Sequence, residues 1–325
     1  MFLAEKKVTL DITSTSIRLL SVHGNRVERW ASAPLEAGLI VDGIITEPIY
    51  LGSKIKNLMQ SSGILTKRVI ASVNGAYSLY RVVRLPIRNG HSKEQMLHDT
   101  AESVLPLPPD NFYISWKMLP ANGRGDTALL IGMQPSVIDP EIEALKSIGV
   151  KPYIMNLKGM ALLKLIDEPF ALIANIESNS VDIVLVARGL PYIMRTVIRK
   201  EQISVADWAK DIATLLEQTV MFYNTRYRDQ VNDAPLKCYL SGELADNEIV
   251  AGIIEDACEF TPSAFNVQLE CPPNLPMHLY AVNLGLASKR TQIPLIAEEP
   301  ETEELEPESI EIEALNEDES SNGQQ

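Results

Sequence analysis

Two turns rich in small and hydroxyl-bearing residues are the features of this sequence best suited to chemistry. Thr13-Ser14-Thr15-Ser16 follows the apolar run Val8–Ile12, and Ile176–Ser180 follows the apolar run Phe170–Asn175. Turns made of small residues expose backbone N–H groups, which bind an anion without side-chain bulk. If the two turns face each other across a cleft, their geometry suits the phosphates of a nucleoside triphosphate.

The two turns belong to an internal repeat. At an offset of 164 positions, Leu10–Val22 aligns with Ala174–Val186. Identical residues at this offset are Ile12 and Ile176, Ser14 and Ser178, Ser16 and Ser180, and Val22 and Val186. Each segment is predicted as strand, turn and strand, at the start of one half of the chain. The repeat therefore predicts a duplicated α/β fold with a cleft between its halves.

Hydrophobic periodicity predicts the elements that position these turns. Further strands are predicted at Arg68–Val73, Tyr77–Leu85, Phe112–Leu119, Thr127–Met133, Tyr192–Val197 and Cys238–Leu240. Helices are predicted at Ile49–Met59, Lys93–Leu105, Asp139–Ile148, Ser204–Tyr227 and from Leu279 to Ala287. Ser92 is a predicted N-cap. The inward face of the longest helix is predicted to carry Trp208, Ile212, Leu215, Leu216, Val220 and Tyr223.

Composition narrows the classes of function. The chain has 325 residues and a net charge of −14, but 297–325 holds 12 acidic residues and no Lys or Arg. The remaining body is nearly neutral, so it offers no basic field for nucleic acid. The Glu-rich tail cannot bury enough apolar surface to fold alone. Three cysteines without a C-x-x-C pair, a charged N-terminus and the lack of a long apolar run predict a cytoplasmic protein.

Common catalytic and metal-binding patterns are missing from the sequence. It contains no G-x-x-x-x-G-K-[ST] loop, no G-x-G-x-x-G after a strand and no G-x-S-x-G elbow. The four histidines, His23, His91, His98 and His278, lack metal-ligand spacing, so no metal site is predicted. Arg124-Gly125-Asp126 is interpreted as a hairpin tip, and no catalytic residue is assigned.

At this point the sequence resembles a known family of actin-like proteins. Leu10–Arg18 is similar to the first phosphate loop of actin-like ATPases, in particular of the PilM family. Val41–Pro48, Thr66–Val69 with Arg81–Pro86, and Ala101–Pro108 resemble further family segments in the same order. Ala281–Ala287 is close to the family's Ala-x-Gly-Leu-Ala ending. The resemblance covers about residues 1–290.

The resemblance implies a duplicated actin-like (ribonuclease H-like) two-lobe α/β fold, with an inserted strand-helix-strand-strand subdomain like that of FtsA. The first lobe is expected at 1–76, the inserted subdomain at 77–150 and a return to the first lobe at 151–169. The second lobe is expected at 170–292 and the acidic tail at 293–325.

The resemblance also implies a partner. PilM-like proteins bind the cytoplasmic N-terminal peptide of the membrane protein PilN, in a groove between the first lobe and the inserted unit, during type IV pilus assembly. An extended peptide in a groove is a known recognition mode. Other platform proteins and further copies of the chain are additional candidate partners, whereas nucleic acid and direct membrane insertion are not expected. The expected location is the inner face of the plasma membrane, reached through the partner.

The nucleotide site implied by the resemblance departs from the family pattern. Thr13 replaces a glycine in the first loop, Asn175-Ile176-Glu177 replaces Asp-Ile-Gly in the second, and Glu243 replaces a glycine in the adenosine loop. Asparagine cannot supply the carboxylate that orients a magnesium-bound water. The residues of this vestigial site are Asp11, Thr13, Ser14, Ser16, Arg18, Asn175, Glu177, Ser178, Ser241, Gly242, Glu243 and Gly285.

The two added acids are expected to oppose a nucleotide. A carboxylate about 5 Å from a triphosphate costs roughly 2–3 kcal/mol at an effective dielectric near 20. The favoured hypothesis is thus a pseudo-ATPase scaffold with no cofactor or with weakly bound ATP and magnesium. In the alternative, Glu177 and Glu243 turn to solvent, ATP binds and the protein is an ATPase switch. A filament former at the membrane would need a basic C-terminal helix, which this acidic tail does not provide.

Overall fold

Alternating and fully apolar strands build two similar sheets in the computed structural model. It describes residues 6–85, 92–105, 112–119, 127–199, 203–226, 236–257 and 260–289. Several features singled out above lie outside these residues, namely His91, the segment after Leu105, the Arg124-Gly125-Asp126 turn, Cys258 and the tail.

The first sheet has the strand order β10-β6-β1-β2-β3. Its strands are β1 Lys6–Ile12, β2 Ser16–His23, β3 Arg26–Pro34, β6 Arg68–Val73 and β10 Lys151–Leu157. Strands β1 and β2 are antiparallel, whereas β1, β6 and β10 run parallel. Both faces of the sheet are covered, which explains why β1 and β2 are apolar on both sides.

Two helices cover the outer face of this sheet. They are α1 Pro48–Ser62 and α3 Pro135–Ser147, and their buried residues Leu51, Ile55, Ala144 and Leu145 share one core with Leu10 and Leu19. Before α1, the strands β4 Ile40–Val41 and β5 Ile44–Ile45 form a hairpin. Its turn residues Asp42 and Gly43 have φ of 51° and 78°, as a two-residue hairpin turn requires.

The second sheet repeats the topology of the first, with the order β13-β12-β11-β14-β15. Its strands are β11 Ala171–Ile176, β12 Ser180–Ala187, β13 Leu190–Ile198, β14 Lys237–Ser241 and β15 Thr261–Pro262. Helices α5 Val205–Arg226 and α6 Glu248–Ala257 cover its outer face. On α5, Trp208, Ile212, Leu216 and Tyr223 are buried as predicted, and Leu215 and Val220 pack against them partly buried.

The repeat inferred from sequence is present as structure. The backbone N–H of Thr13 donates to the carbonyl of Ser16 at 2.8 Å, and that of Glu177 to Ser180 at 2.9 Å. These four residues are equivalent at the offset of 164. Both sheets also place an antiparallel pair beside a parallel strand in the same order.

Two short helices lie in the apolar layer between the lobes. They are α4 Lys158–Leu162, which continues into a 3-10 turn at Leu163–Leu165, and α7 Ala281–Ala287. The layer also contains Leu20 and Val22 from the first sheet and Val184 and Val186 from the second. It therefore joins the two halves into one core.

The inserted unit is a separate sheet with one covering helix. It comprises β7 Ser78–Arg84, α2 Lys93–Val104, β8 Tyr113–Leu119 and β9 Thr127–Met133, with the order β7-β9-β8. Ser92 caps α2, since its hydroxyl accepts from the backbone N–H of Gln95 at 3.2 Å. Helix α3, placed in the insertion by the sequence analysis, packs on α1 of the first lobe instead. The domain division remains a prediction, with this packing favouring an insertion that ends near Met133.

Candidate functional site

The two hydroxyl-rich turns lie at corresponding ends of the two sheets and touch each other. Ser14 donates its hydroxyl to the side-chain oxygen of Asn179 across the cleft. The second turn is anchored from behind, since the indole N–H of Trp208 donates to the carbonyl of Glu177 at 3.2 Å. The cleft predicted from the repeat is thus present, with its turns in direct contact.

A buried ion pair joins the lobes beneath these turns. Arg18 donates from Nη1 to Oε1 and from Nη2 to Oε2 of Glu177, both at 2.7 Å. Each residue is 1% exposed. Burial raises the pKa of Glu177 and the guanidinium opposes that shift, while the two hydrogen bonds raise the pKa of Arg18 despite its burial. An arginine is always charged, so the two-pronged geometry indicates an ionised pair.

Asp11 forms a second buried cluster with a lysine that the sequence analysis did not single out. The Nζ atom of Lys158 lies 3.0 Å from Asp11 Oδ1 and donates to the carbonyl of Ile12 at 2.8 Å. Ser72 donates to Asp11 at 2.6 Å, and Arg18 Nη1 lies 3.4 Å away. Burial raises the pKa of Asp11, but Lys158, Arg18 and Ser72 together hold it below its ordinary value. The carboxylate of Asp11, expected to belong to the vestigial nucleotide site, therefore faces an ammonium.

Glu243 takes neither of the two arrangements considered from the sequence. Its carboxylate accepts hydrogen bonds from Thr15 Oγ1 at 3.0 Å and from Ser178 Oγ at 2.8 Å. It is exposed at the mouth of the cleft, where its carboxylate bridges both turns. Glu177 is not turned to solvent, because it pairs with Arg18. Each added acid binds donors inside the cleft.

The remaining polar residues of the first turn bond to each other. The hydroxyl of Thr13 lies 3.1 Å from that of Ser16 and 3.2 Å from that of Thr15. It also accepts from the backbone N–H of Ser16 at 3.0 Å. The threonine that replaces glycine thus closes its own turn.

Asn175 is satisfied within the second sheet. Its amide nitrogen donates to Asp182 at 3.0 Å, and its oxygen accepts from Ser241 Oγ at 3.1 Å. Asn175 and Asp182 are register partners, and the equivalent pair in the first sheet is Asp11 and Arg18. The Asn175 amide therefore links β11 to its two neighbouring strands, β12 and β14. It is used within the sheet and does not face the cleft as the carboxylate of the family pattern would.

The two glycines of the predicted site have structural roles. Gly242 has φ of +94°, and an added Cβ would lie 2.4 Å from the carbonyl oxygen of Ile176, so the turn before Glu243 needs glycine. Gly285 lies where α7 crosses α4, and an added Cβ would lie 2.1 Å from the carbonyl oxygen of Ala161. The cleft keeps a small cavity of about 40 Å³ beside the first turn, and Gly285 does not line it. Its close contact with Ala161 gives Gly285 a packing role between α7 and α4.

The space left in the cleft is small. A cavity of about 40 Å³ remains between the first turn, Lys158, Glu141 of α3 and the Asp42-Gly43 hairpin tip. The tip closes against the second lobe, because a Cβ at Gly43 would lie 3.3 Å from Ile198 of β13. Ligand pockets measure about 300–1,000 Å³, so this cavity has room for water molecules but not for a triphosphate. In this arrangement, the residues do not fit a bound nucleotide.

Glu141 lines that cavity without a partner for its Oε1 atom among the described residues. It is 4% exposed, and burial raises its pKa to about 8. At neutral pH this carboxyl is therefore protonated. Asp11, Glu177, Arg18 and Lys158 then form a buried set whose charges balance.

Sequence reasoning missed Lys158, Glu141 and Asn179, although two of them carry a signal. Lys158 interrupts an apolar run that continues through Met160–Leu163. Glu141 stands at helical spacing between the buried Val137 and Leu145, where an apolar residue is expected.

Among the described residues, no three His, Cys, Asp or Glu side chains converge as metal ligands. In the same part of the chain, no helix has the length and apolar character needed to span a membrane.

The profile of the family described as "Type IV pilus assembly protein PilM" matches residues 9–205, more than half of the chain. Among curated proteins no sequence matches. A solved PilM-PilN type IV pilus biogenesis complex is similar with a TM-score of 0.69 and 20% identity, over 86% of this chain and 97% of that chain.

Two further solved structures share the fold. The cytoplasmic domain of EpsL, an inner membrane component of the type II secretion system of Vibrio cholerae, has a TM-score of 0.50 and 14% identity, covering 88% of this chain and 96% of that one. A Bacteroides thetaiotaomicron protein with an actin-like ATPase fold and unknown function has a TM-score of 0.50 and 11% identity, covering 88% and 97%. The fold predicted from the sequence, actin-like with two lobes, is confirmed.

Proposed function

The chain belongs to the PilM family of type IV pilus assembly proteins, and from this premise we propose that it is a docking scaffold whose nucleotide cleft is filled by its own side chains. The scaffold belongs to the inner-membrane assembly platform and binds the cytoplasmic N-terminal peptide of a PilN-like membrane protein. That partner holds it at the inner face of the membrane.

The observation that carries the scaffold proposal is the buried pair of Arg18 and Glu177. Arginine binds phosphate through its two-pronged guanidinium, and here both prongs are taken by one carboxylate at 2.7 Å. Removing one partner of such a buried pair costs about 3–5 kcal/mol because the other charge is left unpaired. A triphosphate would have to meet that cost before it gained any contact.

An ATP-binding switch is the second candidate function. It is favoured by the retained hydroxyls of Ser14, Ser16 and Ser178 and by the two closed turns. Nucleotide entry would, however, also break the links through Asn179 and Glu243 that hold the turns together. These combined losses favour the scaffold.

The partner site is proposed between β8 of the insertion and β10 of the first lobe. Both are outer strands of their sheets, and outer strands offer unpaired backbone groups to an extended peptide. Tyr113 of β8 donates to Asp139 of α3 at 2.7 Å, which brings the insertion next to the first lobe. On β10, Tyr153 and Ile154 are 43% and 45% exposed and provide apolar contacts. The similarity to the PilM-PilN complex supports this choice of partner.

The test is a binding titration with the labelled N-terminal cytoplasmic peptide of the PilN-like protein from the same genome, followed by fluorescence anisotropy. We expect saturable binding that Ile154→Glu weakens by about tenfold or more, because a charge replaces an apolar contact in the groove. The matched control Phe222→Glu, at a residue 49% exposed on α5, leaves binding unchanged. No binding by the wild type, or equal losses in the two folded variants, would contradict the proposed site.

A further inference from the structure

The end of the first sheet that lies away from the cleft turns carries a row of basic residues. Because β1, β6 and β10 are parallel, their N-terminal ends lie together at this end. Lys151 is the register partner of Arg68, and Lys67 precedes Arg68. Lys7 stands at the same level, two residues before Thr9, which pairs with Ile70.

The row continues across the antiparallel strands. Lys6 pairs with His23, and His23 pairs with Arg26 of β3. We call the set Lys6, Lys7, Arg26, Lys67, Arg68 and Lys151 the basic end; Lys7 is half-buried and the other five are exposed. Among the described residues, no carboxylate forms an ion pair with Lys6, Lys67 or Lys151. A chain that is almost neutral outside its tail thus concentrates positive charge on one surface.

The duplicated sheet provides an internal comparison. The positions equivalent to Lys7, Arg68 and Lys151 are Ala171, Lys237 and Thr261. Lys237 is the single base of these three, and its ammonium pairs with Glu168. The actin-like topology therefore does not require basic residues at this end of a sheet. The positive charge of the basic end needs another explanation.

A fifth lysine near this surface is affected by Lys7 of the basic end. Lys164 lies in the 3-10 turn after α4, and burial together with Lys117 and Lys7 lowers its pKa to about 8. Positive charges this close repel each other. An anion that bound here would relieve the repulsion.

The chain itself supplies a matching anion. Segment 297–325 contains 12 acidic residues and no Lys or Arg. The last residue of α7, Ala287, accepts a hydrogen bond through its carbonyl from Lys7 Nζ at 3.3 Å. The segment therefore starts only ten residues along the chain from a member of the basic end, and ten extended residues span about 33 Å.

We propose that the acidic segment 297–325 binds the basic end of its own chain. Attachment near Lys7 gives the segment a high effective concentration, which a separate anionic partner lacks. Anionic lipid would also have to displace a segment of the same sign. This inference goes beyond the proposed function and does not depend on it.

Carbodiimide cross-linking of the full-length protein tests the proposal, because this reagent joins only lysines and carboxylates in contact. Digestion at glutamates and mass spectrometry then identify the lysines attached to segment 297–325. At low salt we expect Lys6, Lys7, Lys67 and Lys151 to be joined at least about fivefold more often than Lys56 and Lys210, with the excess lost near 0.5 M salt because screening is then strong. Mixing ¹⁴N- and ¹⁵N-labelled protein separates links within one chain from links between chains.

Two variants sharpen the result. Lys67→Gln/Lys151→Gln should reduce the links to Lys6 and Lys7, whereas the matched control Lys56→Gln/Lys210→Gln should not. Equal linkage to all lysines, or links only between chains, would overturn the proposal.

Discussion

Glu177 occupies the position in the second turn that Thr13 occupies in the first, and its side chain reaches Arg18 of the other lobe. The carboxylate presents two oxygens to Arg18 at 2.7 Å, as a phosphate would. Lys158 likewise pairs with the carboxylate of Asp11, because its ammonium lies 3.0 Å from that group. Arg18 and Asp11, two residues of the predicted nucleotide site, are thus each paired with an opposite charge from the chain itself.

The buried carboxyl of Glu141 is expected to make the stability of the protein depend on pH. Burial raises its pKa from 4.5 to about 8, so its stabilising contribution is complete below pH 4.5 and is lost as the pH rises to about 8. We expect Glu141→Gln, which stays neutral, to unfold at higher urea than the wild type at pH 8, with an advantage on the order of 2–4 kcal/mol. The advantage should shrink steadily toward pH 5, as measured by urea unfolding at several pH values.

The matched control is Glu143→Gln, two positions along the same helix at an exposed residue. Its difference from the wild type should stay within about 0.5 kcal/mol at every pH. A pH-independent effect of Glu141→Gln would mean that Glu141 is ionised in the folded protein.

The site residues illustrate the limit of sequence reasoning at this scale. Asp11, Arg18, Glu177 and Glu243 were identified as site residues, because they stand at recognisable positions around two turns. Their pairing was not predicted, because Arg18 and Glu177 are 159 positions apart and only the docking of the lobes brings them together. Glu177 was expected to stand free and to repel phosphate. In the structure its charge is instead neutralised by Arg18 of the same chain.

At the scale of elements, the close crossing of α4 and α7 leads to a prediction about stability. It tests whether Gly285 is needed for packing. Gly285→Ala should destabilise the protein by about 2–4 kcal/mol, because its Cβ would lie 2.1 Å from the carbonyl oxygen of Ala161. Gly252→Ala in α6 is the matched control, since nothing lies within 4 Å of its added Cβ. That change should stabilise by about 0.5–1 kcal/mol. Urea unfolding of both variants is the measurement, and a neutral Gly285→Ala would contradict the close packing.

The elements themselves were largely predictable where the pattern was strong. The apolar strands around both turns and the long helix α5 agree with the sequence to within a few residues. Strands β3 and β10, the two-residue strands β4, β5 and β15, and helices α4 and α6 were missed. Strands β3 and β10 are outer strands with mixed exposure, and α4 has only five residues, so none of these three shows a full period. Helix α6 has ten residues and buries Val250 and Ile254 at helical spacing, so its pattern could have been recognised. Helix α3 begins at Pro135, four residues before its predicted start, because proline is well tolerated at the first helical position.

For the whole molecule, three links across the cleft hold the lobes in a closed arrangement. They are the Arg18–Glu177 pair, the Ser14–Asn179 contact and the bridge through Glu243. We expect the wild type to show no saturable binding of fluorescent ATP with magnesium. Glu177→Gly/Glu243→Gly should bind, because Arg18 and the turn hydroxyls become free to meet phosphate.

The control for that titration is the triple variant that adds Arg18→Ala. It should lose the gained binding if the guanidinium holds the phosphates. Micromolar binding by the wild type, worth about 8 kcal/mol, would show that the links open readily and would favour the nucleotide switch.

The offset of 164 positions that relates the lobes also shows that the two halves are not interchangeable. Arg18 corresponds to Asp182 and Thr13 to Glu177. Two first lobes facing each other would set each arginine against a threonine, and two second lobes would set aspartate against glutamate. Only the mixed pair brings a guanidinium to a carboxylate, so each half is complementary in charge to the other half and not to a second copy of itself.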